Sequence, residues 1–528
     1  MAFAWTLSRD PIDQRVDVLM QSLTEQELIQ QTWSPYGGTP DALLAKIGAG
    51  GVGQISYKLA GHGTLTERIA QRNAIQLKIM NASRSGLPAS WSSEALHSAV
   101  AGGTVFPELV TQGATWDPEL IEDIGAAIAL EARSVGIDTA FSPVLNMWVD
   151  ARFGRLQEGY SENPTLSAAY ATAQVRGLQG NQPVGSWAYF NASKLVALGK
   201  HYLAYGAALG GLNGAPAEMS ERTLREFYLP PWRAFARAGG KAVMTSHNSV
   251  LGQPMHANSY LTNHVLREEL GFRDGYVLSD CNDVDALVSF RVAANISHAA
   301  AKGINGGVDL DLQCGGQAAY TSLPAALKDG TTTLAKVKTA ARRVLSSKLA
   351  LGIFDQPIVV NASRAVEMVN SPAHQALALR AAEEGIVLVK NDPWSAVRAA
   401  PLRKDPLKKD PLKKDPLLPL TAAHQRIGVV GPNGGCAKGD DPQCDGRVQL
   451  LGSYTQYDGS VSVPTVAEAI ASIRGAASIT WALGATAKVA PPSEAATRRM
   501  EAVALANRSD VVVAVLGDDS KSSSEWGK

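Results

Sequence analysis

An apolar run, Tyr276-Val277-Leu278, leads through Ser279 into Asp280, and a helix-forming stretch, Val284–Val288, follows at once. The run predicts a short buried strand with a carboxylate at its C-terminal end. α/β barrels collect their catalytic groups at that end of their strands, so Asp280 is the first candidate for chemistry. Taken alone, it could as well be the N-cap of the next helix. Similar polar endings recur along the chain. Leu195–Leu198 runs into Gly199-Lys200-His201, and Ala242-Val243-Met244 runs into Ser246-His247-Asn248. A carboxylate among Lys, Arg and His groups is suited to nucleophilic or acid–base work, because neighbouring cations keep it ionised.

The elements needed to position these residues follow a regular order. Val16, Val18, Leu19 and Leu23 recur at helical spacing and predict one amphipathic helix over 13–33. From about residue 118, helices and strands alternate. Helices are expected over Leu120–Val135, Leu166–Leu178, Ser220–Ala238, Leu261–Leu270, Ala293–Lys302 and Leu334–Leu351. Strands are expected at Thr139–Phe141, Leu195–Leu198, Ala242–Met244, Tyr276–Leu278 and Val308–Leu312. This alternation argues for a parallel sheet covered by helices, here a (β/α)₈ barrel over 1–355. Residues 356–425 are read as a linker. In it Lys404-Asp405-Pro406-Leu407-Lys408 repeats at Lys409–Lys413 and restarts at Lys414. Its recurring proline excludes regular helix and makes an extended spacer. Residues 426–528 carry three further strand signals and two helices, an incomplete α/β sandwich domain. Gly431 and Gly434-Gly435 do not form the dinucleotide fingerprint.

Composition narrows the partners. The 528 residues hold 49 basic and 49 acidic side chains, a formal net charge of +0. That gives no electrostatic reason for nucleic acid or an anionic membrane as partner. No apolar run reaches membrane-spanning length, and Arg9-Asp10-Pro11 comes too early for a signal peptide. Five Asn-x-Ser sequons, at Asn81, Asn191, Asn295, Asn361 and Asn507, leave the compartment open. Cys281, Cys314, Cys436 and Cys444 lack zinc spacing.

In order along the chain, several motifs resemble glycoside hydrolase family 3, above all its β-xylosidase and α-L-arabinofuranosidase branch. Ser92-Ser93-Glu94-Ala95-Leu96-His97, followed by Gly103–Pro107, resembles that branch's sugar-binding loop. Ser142–Asn146 and Gly154-Arg155 through Glu162-Asn163-Pro164 resemble the family's glycine–arginine segment, with Asn163 in place of aspartate. Gly199-Lys200-His201-Tyr202 resembles its lysine–histidine pair. Val243-Met244-Thr245-Ser246-His247-Asn248 resembles a Ser-Tyr-Asn segment with His247 at the tyrosine position. Ser279-Asp280-Cys281 resembles the nucleophile strand.

The resemblance implies a retaining glycosidase that needs no cofactor and no metal, with a glycoside or oligosaccharide as substrate. Asp280 would be the nucleophile. Ser524-Glu525-Trp526-Gly527 resembles the acid/base loop and would make Glu525 the proton donor, with Lys528 where aspartate is expected. Glu94, Arg155, Lys200, His201, Met244 and His247 would bind the sugar, and Arg155, Lys200 and His201 would also act as cations beside Asp280. Cys281 and Cys314 follow two strand ends; a disulfide between them would narrow the pocket and favour a pentose. Cys436 and Cys444 could close the acidic loop at Asp440-Asp441. The expected activity is β-xylosidase. Its alternatives are β-glucosidase and a carbohydrate-binding pseudoenzyme. A homodimer that completes the site stays open. The hexosaminidase branch is disfavoured, since Tyr202-Leu203-Ala204 replaces its Lys-His-x-Pro-Gly-His loop.

Overall fold

The computed structural model describes residues 10–37, 39–47, 50–56, 63–392, 416–435, 450–486 and 490–518, with Ser523 and Glu525. The Lys-Asp-Pro-Leu repeat up to Asp415, Cys436, Asp440, Asp441, Cys444, Trp526 and Lys528 lie outside the described residues. The chain forms two compact units. One runs to Gly385 and takes back Ser453–Val461; the other holds Ile386–Gly452 and Ser462–Gly527.

The first unit is built on parallel strands β1 (Trp33–Pro35), β2 (Gln54–Ser56), β3 (Ser90–Glu94), β4 (Thr139–Phe141), β5 (Val196–Tyr202), β6 (Ala242–Thr245), β7 (Tyr276–Leu278) and β8 (Asp311–Gln313). β2 to β7 pair in sequence order, and β8 pairs with β1. The bridges Tyr36–Ser56 and Leu278–Leu310 join the two sets, so the sheet curls into a ring. Helices fill each crossover. They include Leu65–Ala82, Pro118–Ser134, Pro164–Gln179 and Leu334–Ala350.

The ring has two kinds of interior. From β4 to β8 it is filled by Phe141, Val196, Leu198, Met244, Leu278, Leu310 and Leu312. From β1 to β3 it is polar. Ser56 Oγ lies 2.8 Å from Ser92 Oγ, and Gln54 Nε2 donates to Ser92 Oγ at 2.9 Å. Strands lined by serine and glutamine show no apolar run, which is why Ser92–Glu94 reads as a loop in the sequence. In the structure Glu94 ends β3.

The single helix expected over 13–33 is two. Ile12–Ser22 stops at an extended Leu23, and Thr24 caps a second helix, Glu25–Gln30, in a capping box with Glu27. After a turn at Gln31-Thr32, Trp33 opens β1. The Ser220–Ala238 helix is also interrupted, by a π-turn at Leu224–Tyr228 before Pro230. A proline has no N–H to continue the ladder, so the turn widens there. Helices Ala362–Met368 and Pro372–Gly385, in the stretch read as linker, belong to the first unit. In the second unit, Ile427–Val430 is the central strand of a parallel three-stranded sheet, between Ile479–Ala482 and Val511–Ala514. Helices Val466–Arg474 and Pro492–Asn507 accompany it.

Candidate active site

Asp280 lies just past β7 and is 7% exposed. Its Oδ1 accepts the Cys281 backbone N–H at 2.7 Å, which fixes the carboxylate's rotation. Its Oδ2 faces two imidazoles, His201 Nε2 at 3.5 Å and His247 Nε2 at 3.2 Å. β5 and the loop after β6 supply these rings, so adjacent strand ends converge on one carboxylate.

Arg155 reaches the same place from the long loop after β4. A short 3₁₀ turn, Leu156–Glu158, folds Glu158 back onto it. Arg155 Nε and Nη2 donate to the two Glu158 carboxylate oxygens at 2.8 and 2.7 Å. Both side chains are buried, at 2% and 0% exposure, where such a bidentate pair holds its geometry. Nη2 also lies 3.3 Å from His201 Nε2. Next to His201 in the chain, Lys200 Nζ donates to Glu94 Oε2 at 2.6 Å.

The electrostatics correct one expectation. His201 was expected as a cation, yet burial holds it well below the usual histidine range, and Arg155, Lys200 and His247 push it the same way. Its Nδ1 lies 3.3 Å from Asn146 Oδ1. A neutral ring donating Nδ1–H there leaves Nε2 as an acceptor for Arg155. The 3.5 Å approach to Asp280 is therefore not an ion pair. Burial also raises the Glu94 carboxyl, and Lys200 opposes that rise.

Other predicted residues take varied places. His247 Nδ1 meets Asp283 Oδ1 at 2.8 Å. Met244 packs in the apolar half of the barrel. Asn163 caps the helix Pro164–Gln179, accepting from Thr165 and Leu166 N–H as a carboxylate would. Cys281 and Cys314 form a disulfide. Glu525 is a half-buried turn residue of the second unit. Among the described residues, no group of three His, Cys, Asp or Glu is placed to hold a metal ion.

Sequence reasoning gave no role to Glu158, Asn146, Tyr205, Asp283 or Tyr454. The Tyr205 ring packs edge-on against His201 at 5.1 Å and His247 at 5.8 Å. Tyr454 comes from the returning segment, Ser453–Val461. Lys200 Nζ sits 4.9 Å and Arg155 Cζ 5.5 Å from its ring centroid. That segment is pinned by Ser453: its N–H donates to Glu108 at 2.8 Å, and its carbonyl accepts from His97 at 2.9 Å. Gln157 donates to its hydroxyl at 2.9 Å. Spacing could have found Glu158, three residues after Arg155, but nothing local points to Tyr454.

Comparison with known proteins fits this arrangement. The chain is 34% identical over 387 residues to a β-xylosidase of Formosa agariphila, covering 70% of this chain and 49% of that protein. It thus spans about half the length of that curated relative. A solved β-glucosidase of Erythrobacter marinus superposes with TM-score 0.84 at 28% identity, over 99% of this chain and 67% of that one. A Listeria innocua β-glucosidase solved with glucose superposes with TM-score 0.79 at 26% identity, over 97% and 65%. The model of the glycosyl hydrolase family 3 N-terminal domain matches residues 26–347, and the chain belongs to that family.

Proposed function

We propose that this protein is an exo-acting, retaining β-xylosidase working by double displacement. The observation that carries the reading is Asp280, fixed at the end of β7 by the Cys281 N–H and faced by His201 and His247. In the first step Asp280 attacks the anomeric carbon, and the glycosidic bond breaks as the departing oxygen takes a proton. In the second, water displaces Asp280 from the sugar. Glu525 is the proposed acid/base. Glu94, held by Lys200, accepts hydrogen bonds from sugar hydroxyls, while Arg155 and neutral His201 orient the ring. Such pre-positioning converts binding into rate.

The preference for a pentose draws support from the Cys281–Cys314 disulfide, whose first cysteine adjoins the nucleophile. The two superposed β-glucosidases favour the second reading, β-glucosidase, on the same chemistry.

Dinitrophenyl and mononitrophenyl β-xylosides, with the matching β-glucosides, test this. Dinitrophenolate leaves without a proton and needs only Asp280; mononitrophenolate needs the acid as well. Turnover of both xylosides, lost in Asp280→Asn, supports the whole reading. Turnover of the dinitrophenyl sugar alone removes Glu525 from its role. Faster glucoside turnover selects the second reading. Silence on all of them, with sugar still bound, leaves a binding protein.

A further inference from the structure

His247 stands between two acids. Its Nε2 is 3.2 Å from Asp280 Oδ2, and its Nδ1 is 2.8 Å from Asp283 Oδ1. An ionised carboxylate only accepts, so each contact is attractive only when the ring nitrogen carries hydrogen. One ring that satisfies both is an imidazolium.

The surroundings agree. Arg155 pairs with Glu158 and Lys200 with Glu94, while His247 lies between Asp280 and Asp283. A third positive charge between Asp280 and Asp283 brings the cluster nearer balance. The groups facing this ring include Asp280 past β7, Asp283 opening the helix Asp283–Ser289, His201 on β5 and the edge of Tyr205. His256 lies behind, 3.7 Å from Asp283 Oδ2. His201 and His256 are both held below the usual histidine range, burial first, with His247 contributing in each case.

We propose that His247, clamped by Asp283, is a positioning residue whose positive charge, with Nε2 3.2 Å from Asp280 Oδ2, keeps Asp280 ionised and correctly turned. This rests on the reading of Asp280 as the nucleophile. Asp283 fixes the ring and stabilises its charge; the ring passes both to Asp280. Loss of the Nε2 proton to solvent would set acceptor against acceptor and swing the carboxylate out of line. The dinitrophenyl reaction, which needs no acid, would then fail on its alkaline side for a reason unrelated to Glu525.

The test has two readouts on the full chain. Proton–carbon NMR follows the histidine Cε1–H signals through pH, with His247 assigned by its loss in His247→Gln. The expected midpoint lies above the ordinary 6.5 and falls by about one unit or more in Asp283→Asn. In parallel, kcat/KM for the dinitrophenyl β-xyloside is profiled against pH. Its alkaline limb should track that midpoint and move down with it in Asp283→Asn. His247→Gln, a donor without charge, should lose about 10–100-fold at pH 6 and lose the limb. A merely structural His247 would lower the profile evenly and leave the limb in place, which overturns the proposal. A wild-type midpoint at or below 6.5 overturns it as well. If no aryl glycoside turns over, the functional reading fails, and the NMR midpoint alone decides whether His247 is a clamped cation. If His247→Gln does not fold, Asp283→Asn carries both readouts.

Discussion

Lys200 Nζ and Glu94 Oε2 lie 2.6 Å apart, with side-chain exposures of 1% and 13%. The two residues come from strands that are not neighbours in the sheet, β3 and β5. Burial raises the Glu94 carboxyl, and Lys200 opposes that rise. Lys200→Met should therefore cost about 3–5 kcal/mol of unfolding free energy, since it strands a buried acid. Adding Glu94→Gln should recover most of the loss. Denaturant titration of both variants checks it; equal losses would mean the two side chains are not coupled.

Arg155→Lys keeps the charge but not the fork. Glu158 would keep one donor where it has two, and His201 would lose the Nη2 contact at 3.3 Å. A charged hydrogen bond is worth about 1.5–3 kcal/mol, so kcat/KM for an aryl β-xyloside should fall by roughly 10–100-fold. Unchanged kinetics would show that a point charge suffices.

The Cys281–Cys314 bridge spans a sequence separation of 33. In the chain-entropy view, closing a loop of that size stabilises by about 3–4 kcal/mol. The Cys281→Ser, Cys314→Ser double variant should unfold at lower denaturant by that amount. If the bridge also narrows the sugar site, the glucoside-to-xyloside ratio of kcat/KM should rise. A ratio that stays put would separate stability from selectivity.

Glu108 links folding to pH. Burial pushes its carboxyl up to about 7, Glu158 adds to the rise, and His97 with the Ser453 N–H opposes it. Between about 4.5 and 7 the folded chain holds a proton that the unfolded chain has lost. Stability from this group is thus complete below 4.5 and fades as pH rises through 7, by at most about 3 kcal/mol. Melting curves at pH 5 and 7.5 should converge in Glu108→Gln. A slope unchanged in that variant would assign the effect elsewhere.

The legible parts of this molecule are those where chemistry and periodicity coincide. Asp280, Lys200 and His201 end strands whose bodies are apolar, so pattern and polar ending reinforce each other. β1 to β3 were illegible for the opposite reason. Ser34, Gln54, Ser56 and Ser92 line the barrel as a hydrogen-bonded ladder, and polar residues facing inward erase the strand signature. Protonation was beyond pattern as well. His201 looks like a cation beside an acid in sequence, and only its burial beside Arg155 and Lys200 makes it neutral. Tyr454 is brought to Lys200 and Arg155 by a return of the chain that no local signal announces.

That return has a consequence for inheritance. Ser453–Val461 is part of the barrel unit, while the chain on either side of it belongs to the other unit. Division of the protein at Gly385 would take away the partners of His97, Glu108 and Gln157, and with them the ring against the two cations. The barrel is thus no cassette that recombination can lift out at a linker. An exchange that carried only the chain up to Gly385 would leave Ser453–Val461 behind.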